Sequence, residues 1–383
     1  MRRTLAFLLT AVAAFSQDAA LARIKQKLSE ARSLAEKHQA VGAAQLSTIH
    51  ADLRNWMESR LPKSFPADPA PLEKSLNGQL VAAGIQRTDS RDMDIDDPAL
   101  DSVGLDFETV PGLPSVLLAS TWVRISCGGD AAIYGYRYDS AGATRVFENY
   151  PSSESGYGFG KTEVSAPDGL GRRLLLIKAT STQCASTWMG MTYSVYRFGL
   201  PSVAPETLLS EKHGFWLGND GPEFVLKPDQ MVIEFLDSSI DGGVHNRTYL
   251  LRYDFSDGVK RVEPFAFQPQ DFAEDWLKRP WSEMQPFSAP ATQKWHAQLH
   301  ADMIFADYTN VVPCAAKPDR WMIGFNIREL GEKELAPPID RYFLVRDLGH
   351  YHYQMEAVSD KPFEGCPGHG DPSDKHPGSR STS

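Results

Sequence analysis

Two histidines four residues apart, His296 and His300 in Trp295-His-Ala-Gln-Leu-His300, have the spacing with which one face of a helix chelates a transition metal. The glutamate that a zinc protease places after its first histidine is missing, because Ala297 stands there. Trp295 and Leu299 border the same pair, which is the ordinary setting of a packed or surface histidine. A second pair, His350 and His352, shares a strand face with Gln354 and Glu356 and leaves Tyr351, Tyr353 and Met355 to point inward. A four-histidine site requires the two pairs to converge, and no metal or other cofactor is assigned.

Arg137, Arg197, Arg252 and Arg346 fall at matching points of four aromatic segments. Guanidinium groups repeated in this way can hold an anionic ligand, or each can pair with an acid of its own turn, Asp139, Asp254 and Asp347 being close by. Asp92, Asp94 and Asp96 open like a calcium loop, but Asp97 takes the place of the turn glycine and Val103 that of the final glutamate, so the stretch reads as a solvated acidic linker. Gly156-Tyr-Gly-Phe-Gly160 has the glycines of a nucleophile elbow without its serine. There is no phosphate loop or dinucleotide fingerprint. Carboxylate pairs for glycoside hydrolysis stay open, since their separation is set in three dimensions.

With 383 residues and a formal charge of −10, the chain buries a large core but repels a phosphate backbone, and no basic run offsets this. No nucleic-acid partner is expected. Arg2-Arg3, an apolar run from Leu5 to Phe15 and small residues at Ala14 and Ser16 predict a signal peptide over 1–16, and hence a secreted or periplasmic product with no membrane span after cleavage. The alternative is an uncleaved anchor or a buried helix.

The elements that must position these residues change character along the chain. Leu21, Ile24, Leu28, Ala31 and Ala35, then Leu46, Ile49, Leu53, Trp56 and Met57, predict two helices with one apolar stripe each, and a third runs from Leu72 to Ala83. Residues 17–103 thus form a helical segment with an acidic linker, and 104–358 turn to strand chemistry. There a module repeats: a Pro-Asp turn, an apolar strand, an aromatic strand near an arginine, a Gly- or Asp-containing turn and a third strand. Copies begin at Pro167-Asp168, Pro228-Asp229 and Pro318-Asp319, with a degenerate one at Pro114-Ser115. Tyr134, Tyr136 and Tyr138 share a face opposite Ile133, Gly135 and Arg137, so both sheet faces are covered.

This order of elements resembles the blade of a β-propeller. The resemblance implies a mainly β chain of antiparallel blade-like repeats, about four units, behind an N-terminal helical segment; an open or two-sheet arrangement is the alternative. An insertion at 268–301 in the third unit predicts two short amphipathic helices, Asp271 to Lys278 and Ala291 to Ala301, and marks a candidate functional face. The chain beyond 358 ends in a Gly-, Pro- and Ser-rich tail that predicts disorder.

Four cysteines in an exported chain predict two disulfides. Cys127 and Cys184 each lie ten residues after an equivalent leucine, Leu117 and Leu174, so they occupy corresponding loops and pair with each other. That leaves Cys314 to hold Cys366; four free thiols are the alternative if the chain is not exported. The expected function is a non-catalytic binding or scaffold module for a protein, a glycan or a small anionic ligand. A secreted hydrolase, metal-dependent through His296 and His300 or glycan-acting, is the alternative. A cleft at the ring axis or beside the insertion that gathers polar groups with perturbed ionisation favours the hydrolase; a wide aromatic surface poor in polar groups favours binding.

Overall fold

The fold is seen in a computed structural model, which describes residues 19–34, 41–86, 103–125, 128–150, 161–180, 188–199, 204–216, 221–240, 246–300, 304–329 and 338–366. The signal peptide, the acidic run at Asp92 to Asp97, Gly156 to Gly160, Cys127, Cys184 and the tail beyond Cys366 lie outside the described residues. The chain is mainly β and forms four antiparallel sheets of four strands each, with helices at the N-terminal side. In each sheet the strands follow sequence order, so every sheet is a meander of the kind that makes a propeller blade. The chain divides into two compact units, Met1–Leu217 with Leu226–Asp229, and Gly218–Val225 with Gln230–Ser383.

In the first unit, helices α1 (19–34), α2 (Ala43–Glu58) and α3 (Ala70–Ala82) bury the expected stripes: Ile24, Leu28, Leu46, Ile49, Leu53 and Trp56 are all in the core. They cover one face of the first sheet, β1 (Val103–Thr109), β2 (Val116–Ile125), β3 (Gly128–Asp139) and β4 (Gly142–Asn149), where Leu117, Tyr134, Tyr136 and Tyr138 meet them. The opposite face packs on the second sheet, β5 (Lys161–Val164), β6 (Arg173–Thr180), β7 (Trp188–Phe198) and β8 (Glu206–Trp216), through Val116, Leu118, Ile133, Leu175, Ile177 and Tyr196. Burial on both sides explains why β2 and β6 read as continuous apolar runs and not as alternating ones. Phe147 bridges the two sheets by stacking on Tyr196 at 4.4 Å between ring centroids. It lies over Gly135, where a Cβ would come within 2.1 Å of the ring, so only glycine fits beneath it.

The second unit holds β9 (Glu223–Leu226) except for its last residue, β10 (Gln230–Asp237), β11 (Arg247–Asp254) and the two-residue β12 (Lys260–Arg261). Its other sheet is β13 (Ile304–Cys314), β14 (Lys317–Glu329), β15 (Ile339–Gly349) and β16 (His352–Ser359). Between them run α4 (Pro269–Lys278), α5 (Trp281–Met284) and α6 (Gln293–Leu299). Phe272, Ala273, Trp276 and Leu277 of α4 pack on Phe325, Phe343, Val345 and Met355 of the last sheet. A Trp276→Ala cavity there costs about 3–5 kcal/mol.

Four expectations shift. The module has four strands, not three, because β1, β5, β9 and β13 precede each apolar strand. The third strand of the copy beginning at Pro228-Asp229 shrinks to Lys260–Arg261, since the chain leaves the sheet toward the buried Phe265 and Ala266 under the helices. Pro318-Asp319 lies inside β14: Cys314 pairs with Lys317, so the reversal falls at Ala315-Ala316. The next hairpin reverses at His350-Tyr351, with φ of 55° and 64°, as a two-residue turn of left-handed residues requires. Tyr351 therefore stands 53% exposed instead of pointing inward, while Tyr353 and Met355 are buried as expected.

Candidate functional site

Arg247 opens β11 and enters the interior, where it is 7% exposed. A buried cation needs paired anions, and α4 supplies them from the face that an amphipathic helix ordinarily gives to water. Glu274 Oε1 lies 3.0 Å from Arg247 Nε, and Asp275 takes Nη2. The guanidinium lies over the Tyr249 ring, 3.5 Å from its centroid. Glu274, with no exposed surface, also accepts from Tyr249 OH at 2.6 Å, Ser239 Oγ at 2.9 Å and Tyr308 OH at 3.2 Å. Burial opposes the Arg247 charge, but Asp275 and Glu274 outweigh it and raise its pKa well above the ordinary value. Burial likewise opposes the Asp275 charge, and Arg247 and Arg279 overcome it, leaving its pKa lowered. Tyr249 and Tyr308 are raised, chiefly by burial.

Arg247, Ser239 and Tyr308 of this network line a cleft of about 940 Å³ beside the insertion, with Trp321, Phe267 and Tyr308 as aromatic surface and Asn246, Gln268 and Gln270 as amides. Two carboxylates line it, Glu234 on β10 and Asp271 on α4. Asp271 is the chemically distinctive one: burial, then the charges of Glu274 and Asp275, push it up to about 6, against the pull of Arg247 and a hydrogen bond from the Gln268 backbone. Asn246 Oδ1 is buried in the same wall without a protein donor among the described residues. An acceptor in that state gains from a ligand hydroxyl. Asn246 is also the acceptor of the Asn246-Arg-Thr248 sequon, so glycosylation would compete with this cleft.

The histidines serve the helix ends. His296 Nε2 meets the Arg279 carbonyl at 2.9 Å and His300 Nδ1 the Leu277 carbonyl at 2.8 Å, with the rings stacked 5.0 Å apart. They satisfy carbonyls that the end of α4 leaves without amide donors. Burial lowers the His296 pKa. His352 pairs with Glu263 and does not join them, and no cluster with metal-ligand composition occurs among the described residues.

The four arginines have separate surroundings. Arg197 lies 3.2 Å from Glu206, Arg252 donates to the Glu263 carbonyl at 2.9 Å, and Arg346 donates to Asp319 at 3.0 Å. Arg137 lines a cleft of the first unit that contains none of the other three. Cys314 and Cys366 form a disulfide, which covers one face of the last sheet with the chain around Phe363.

The first unit contains a second buried network that sequence reading missed. His50 Nδ1 is 2.6 Å from Thr121 Oγ1 and His50 Nε2 is 3.0 Å from Asp130 Oδ2, which also accepts from Tyr150 OH at 2.8 Å. The residue types imitate a hydroxyl, base and acid relay. All three are sealed from solvent, so the network ties α2 to β2 and β3 instead of meeting a substrate.

No family model and no curated protein matches the chain. Among solved structures it is similar to the GH93 alpha-L-arabinofuranosidase of Fusarium graminearum in complex with arabinobiose, at 9% identity over 71% of this chain and 68% of that one, with a TM-score of 0.25. A likeness at that level carries no argument about activity.

Proposed function

We propose that the protein is an exported, glycan-directed hydrolase whose working site is the cleft beside α4. The carrying observation is the cleft-lining Asp271, held protonated up to about pH 6 by burial and then by the charges of Glu274 and Asp275 on the same helix. A carboxylic acid that keeps its proton near neutrality is suited to protonate a leaving-group oxygen, and a second carboxylate in the same cleft, Glu234, is suited to act as base or nucleophile. Arg247, Glu274 and Asp275 do not carry the reaction; they fix the electrostatic field around Asp271. Trp321, Phe267 and Tyr308 supply faces on which a sugar ring stacks, while Asn246, Gln268 and Gln270 match its hydroxyls.

A non-catalytic glycan-binding role is the second reading, favoured by the hydrogen bond from the Gln268 backbone to Asp271, which gives that carboxyl a capping task at the start of α4. The test is a panel of oligosaccharides and aryl glycosides incubated with the protein and with Asp271→Asn from pH 4.5 to 7.5. Hydrolysis is expected to fall as pH rises through about 6, with Asp271→Asn at least about 100-fold slower. Binding without turnover in both proteins supports the second reading, and no binding at all overturns both.

A further inference from the structure

A further cleft lies wholly within the first unit, bordered by the end of β4 in the first sheet and by β7 and β8 of the second. It holds about 350 Å³, a volume ordinary for a small-molecule site. Strand register assigns its walls, because directly opposed residues of an antiparallel pair share a face. On β7 and β8 the successive pairs are Trp188 with Trp216, Gly190 with Gly214, Thr192 with Lys212 and Ser194 with Ser210. Tyr196 continues the same side of β7 under the first sheet and accepts a hydrogen bond from Asn149 Nδ2 at 3.0 Å. The Ser194 and Ser210 hydroxyls lie 3.0 Å apart. Glu148 and Glu211 also border the cleft but are engaged elsewhere: Glu148 accepts from Arg54 at 2.8 Å and Glu211 from Tyr193 OH at 2.7 Å. Hydroxyl and amide groups thus form the walls, with the exposed Lys212 at the rim.

From the cleft this face runs along the hairpin over the two glycines to the tryptophan pair. Glycine inside a strand costs backbone entropy and marks the close approach of another group. Two strand glycines of the first sheet show such a group: a Cβ on Gly104 would come within 2.4 Å of the Trp122 ring, and one on Gly135 within 2.1 Å of the Phe147 ring. No ring of the chain lies over Gly214. A Cβ there would find only the Met189 carbonyl oxygen, 4.0 Å away, and the residue is exposed and does not have a left-handed φ. Neither packing nor backbone conformation demands glycine at this position. The opposite side of the hairpin is core, with Met191, Val195 and Phe215 buried, so the smooth floor faces solvent. Hydroxyls bound it at one end, and Trp188, 40% exposed, and the half-buried Trp216 bound it at the other. At about 3.4 Å per residue, Ser194 and Trp188 stand about 20 Å apart along β7, a span for a chain of rings and not for one.

We propose that this face is a non-catalytic binding site for a neutral oligosaccharide chain. One sugar exchanges hydrogen bonds with Asn149, Thr192 and Ser210 in the cleft, the chain passes over Gly214, and a further ring stacks on Trp188 or Trp216. A neutral chain fits because the walls are uncharged and a protein of formal charge −10 repels an anionic one. The site shares no residue with the cleft beside α4 and does not depend on hydrolysis there.

The test is calorimetric titration of the full chain carrying Trp321→Ala, which removes stacking in the cleft beside α4, with cellohexaose, xylohexaose and mannohexaose. It is repeated after adding Gly214→Val or Trp188→Ala. At least one hexasaccharide is expected to bind the Trp321→Ala protein, and each added substitution is expected to weaken that binding about tenfold or more. Valine suits a strand and its Cβ has room here, so Gly214→Val is expected to melt at or above the temperature of its background. A Gly214→Val protein that melts well below it would show the glycine to be structural and overturn the proposal. Circular dichroism establishes that the variants fold; should Trp188→Ala fail to, Gly214→Val alone decides. Absence of binding of all three hexasaccharides, or binding that every folded variant retains, would also overturn it. Hydrolysis by the parent and by Asp271→Asn is scored separately, so failure of the glycan-directed cleft and failure of this site are told apart.

Discussion

Asp271→Asn should make the folded protein more stable at neutral pH while abolishing the activity proposed for its cleft. The carboxyl titrates at about 6 in the folded chain against an ordinary value of 3.8, principally because it is buried. The folded state therefore holds this proton more tightly than the unfolded state. Its contribution is complete below about pH 4 and is lost as pH rises through about 6. At pH 7 the ionised carboxylate weighs against folding by about 3 kcal/mol, at about 1.4 kcal/mol per pH unit of the gap. Asparagine imitates the neutral acid, keeps an oxygen for the Gln268 amide and has no charge to desolvate. A gain of about 3 kcal/mol corresponds to about 6–12 °C in melting temperature for a unit of this size. Thermal melts of both proteins at pH 4.5 and pH 7.5 measure it: the variants should nearly coincide at the lower pH and separate at the higher. If Asp271→Asn melts below the parent at pH 7.5, Asp271 is a stabilising partner of Arg247, and the reasoning about a stored proton fails.

Other outcomes follow from the same physics. Replacing His50 by leucine removes the partner of two sealed polar groups, Thr121 and Asp130, and should cost about 3 kcal/mol in urea unfolding; a loss under about 1 kcal/mol would mean that the network contributes little. Cys314→Ser opens a loop spanning a sequence separation of 52 residues and should lower stability by about 4 kcal/mol on the chain-entropy model, measured against the oxidised parent, while peptide mapping of that parent recovers Cys314 joined to Cys366. Trp321→Ala should weaken oligosaccharide affinity about tenfold or more with the fold intact by circular dichroism, since stacking on an aromatic face needs the ring; unchanged affinity would remove Trp321 from the site.

The four-sheet architecture was legible because strand periodicity is local. The tyrosines at 134, 136 and 138 reveal a two-sided sheet from their spacing alone, and the apolar runs at Leu174 to Ile177 and Met231 to Phe235 reveal buried strands. The strands before each apolar run were less legible: Lys161–Val164 and Glu223–Leu226 are four residues long, mix charged and apolar types and hold little hydrophobic pattern. The site was only half visible. The insertion marked the region of the proposed cleft, but Glu274 and Asp275 read as the wet face of an amphipathic helix. Their partner Arg247 lies 28 residues from Asp275, and nothing in the local pattern announces that pairing. The histidine pair drew attention for the opposite reason: helical spacing is a strong signal, but what it encodes here is two donors for the carbonyls of Leu277 and Arg279. Arg137 was singled out with Arg197, Arg252 and Arg346, whereas the arginines of the second sheet that line the same cleft are Arg172 and Arg173, brought there by the packing of two sheets.

The central claim is that the cleft beside α4 receives a glycan with Asp271 at the bond to be broken. A crystal of Asp271→Asn soaked with an oligosaccharide chosen from the binding panel tests it most directly. The account predicts an intact chain stacked on Trp321, a ligand hydroxyl donating to Asn246 Oδ1 and a glycosidic oxygen within hydrogen-bond distance of residue 271. An oligosaccharide seated elsewhere on the protein, with this cleft holding only solvent, would contradict it.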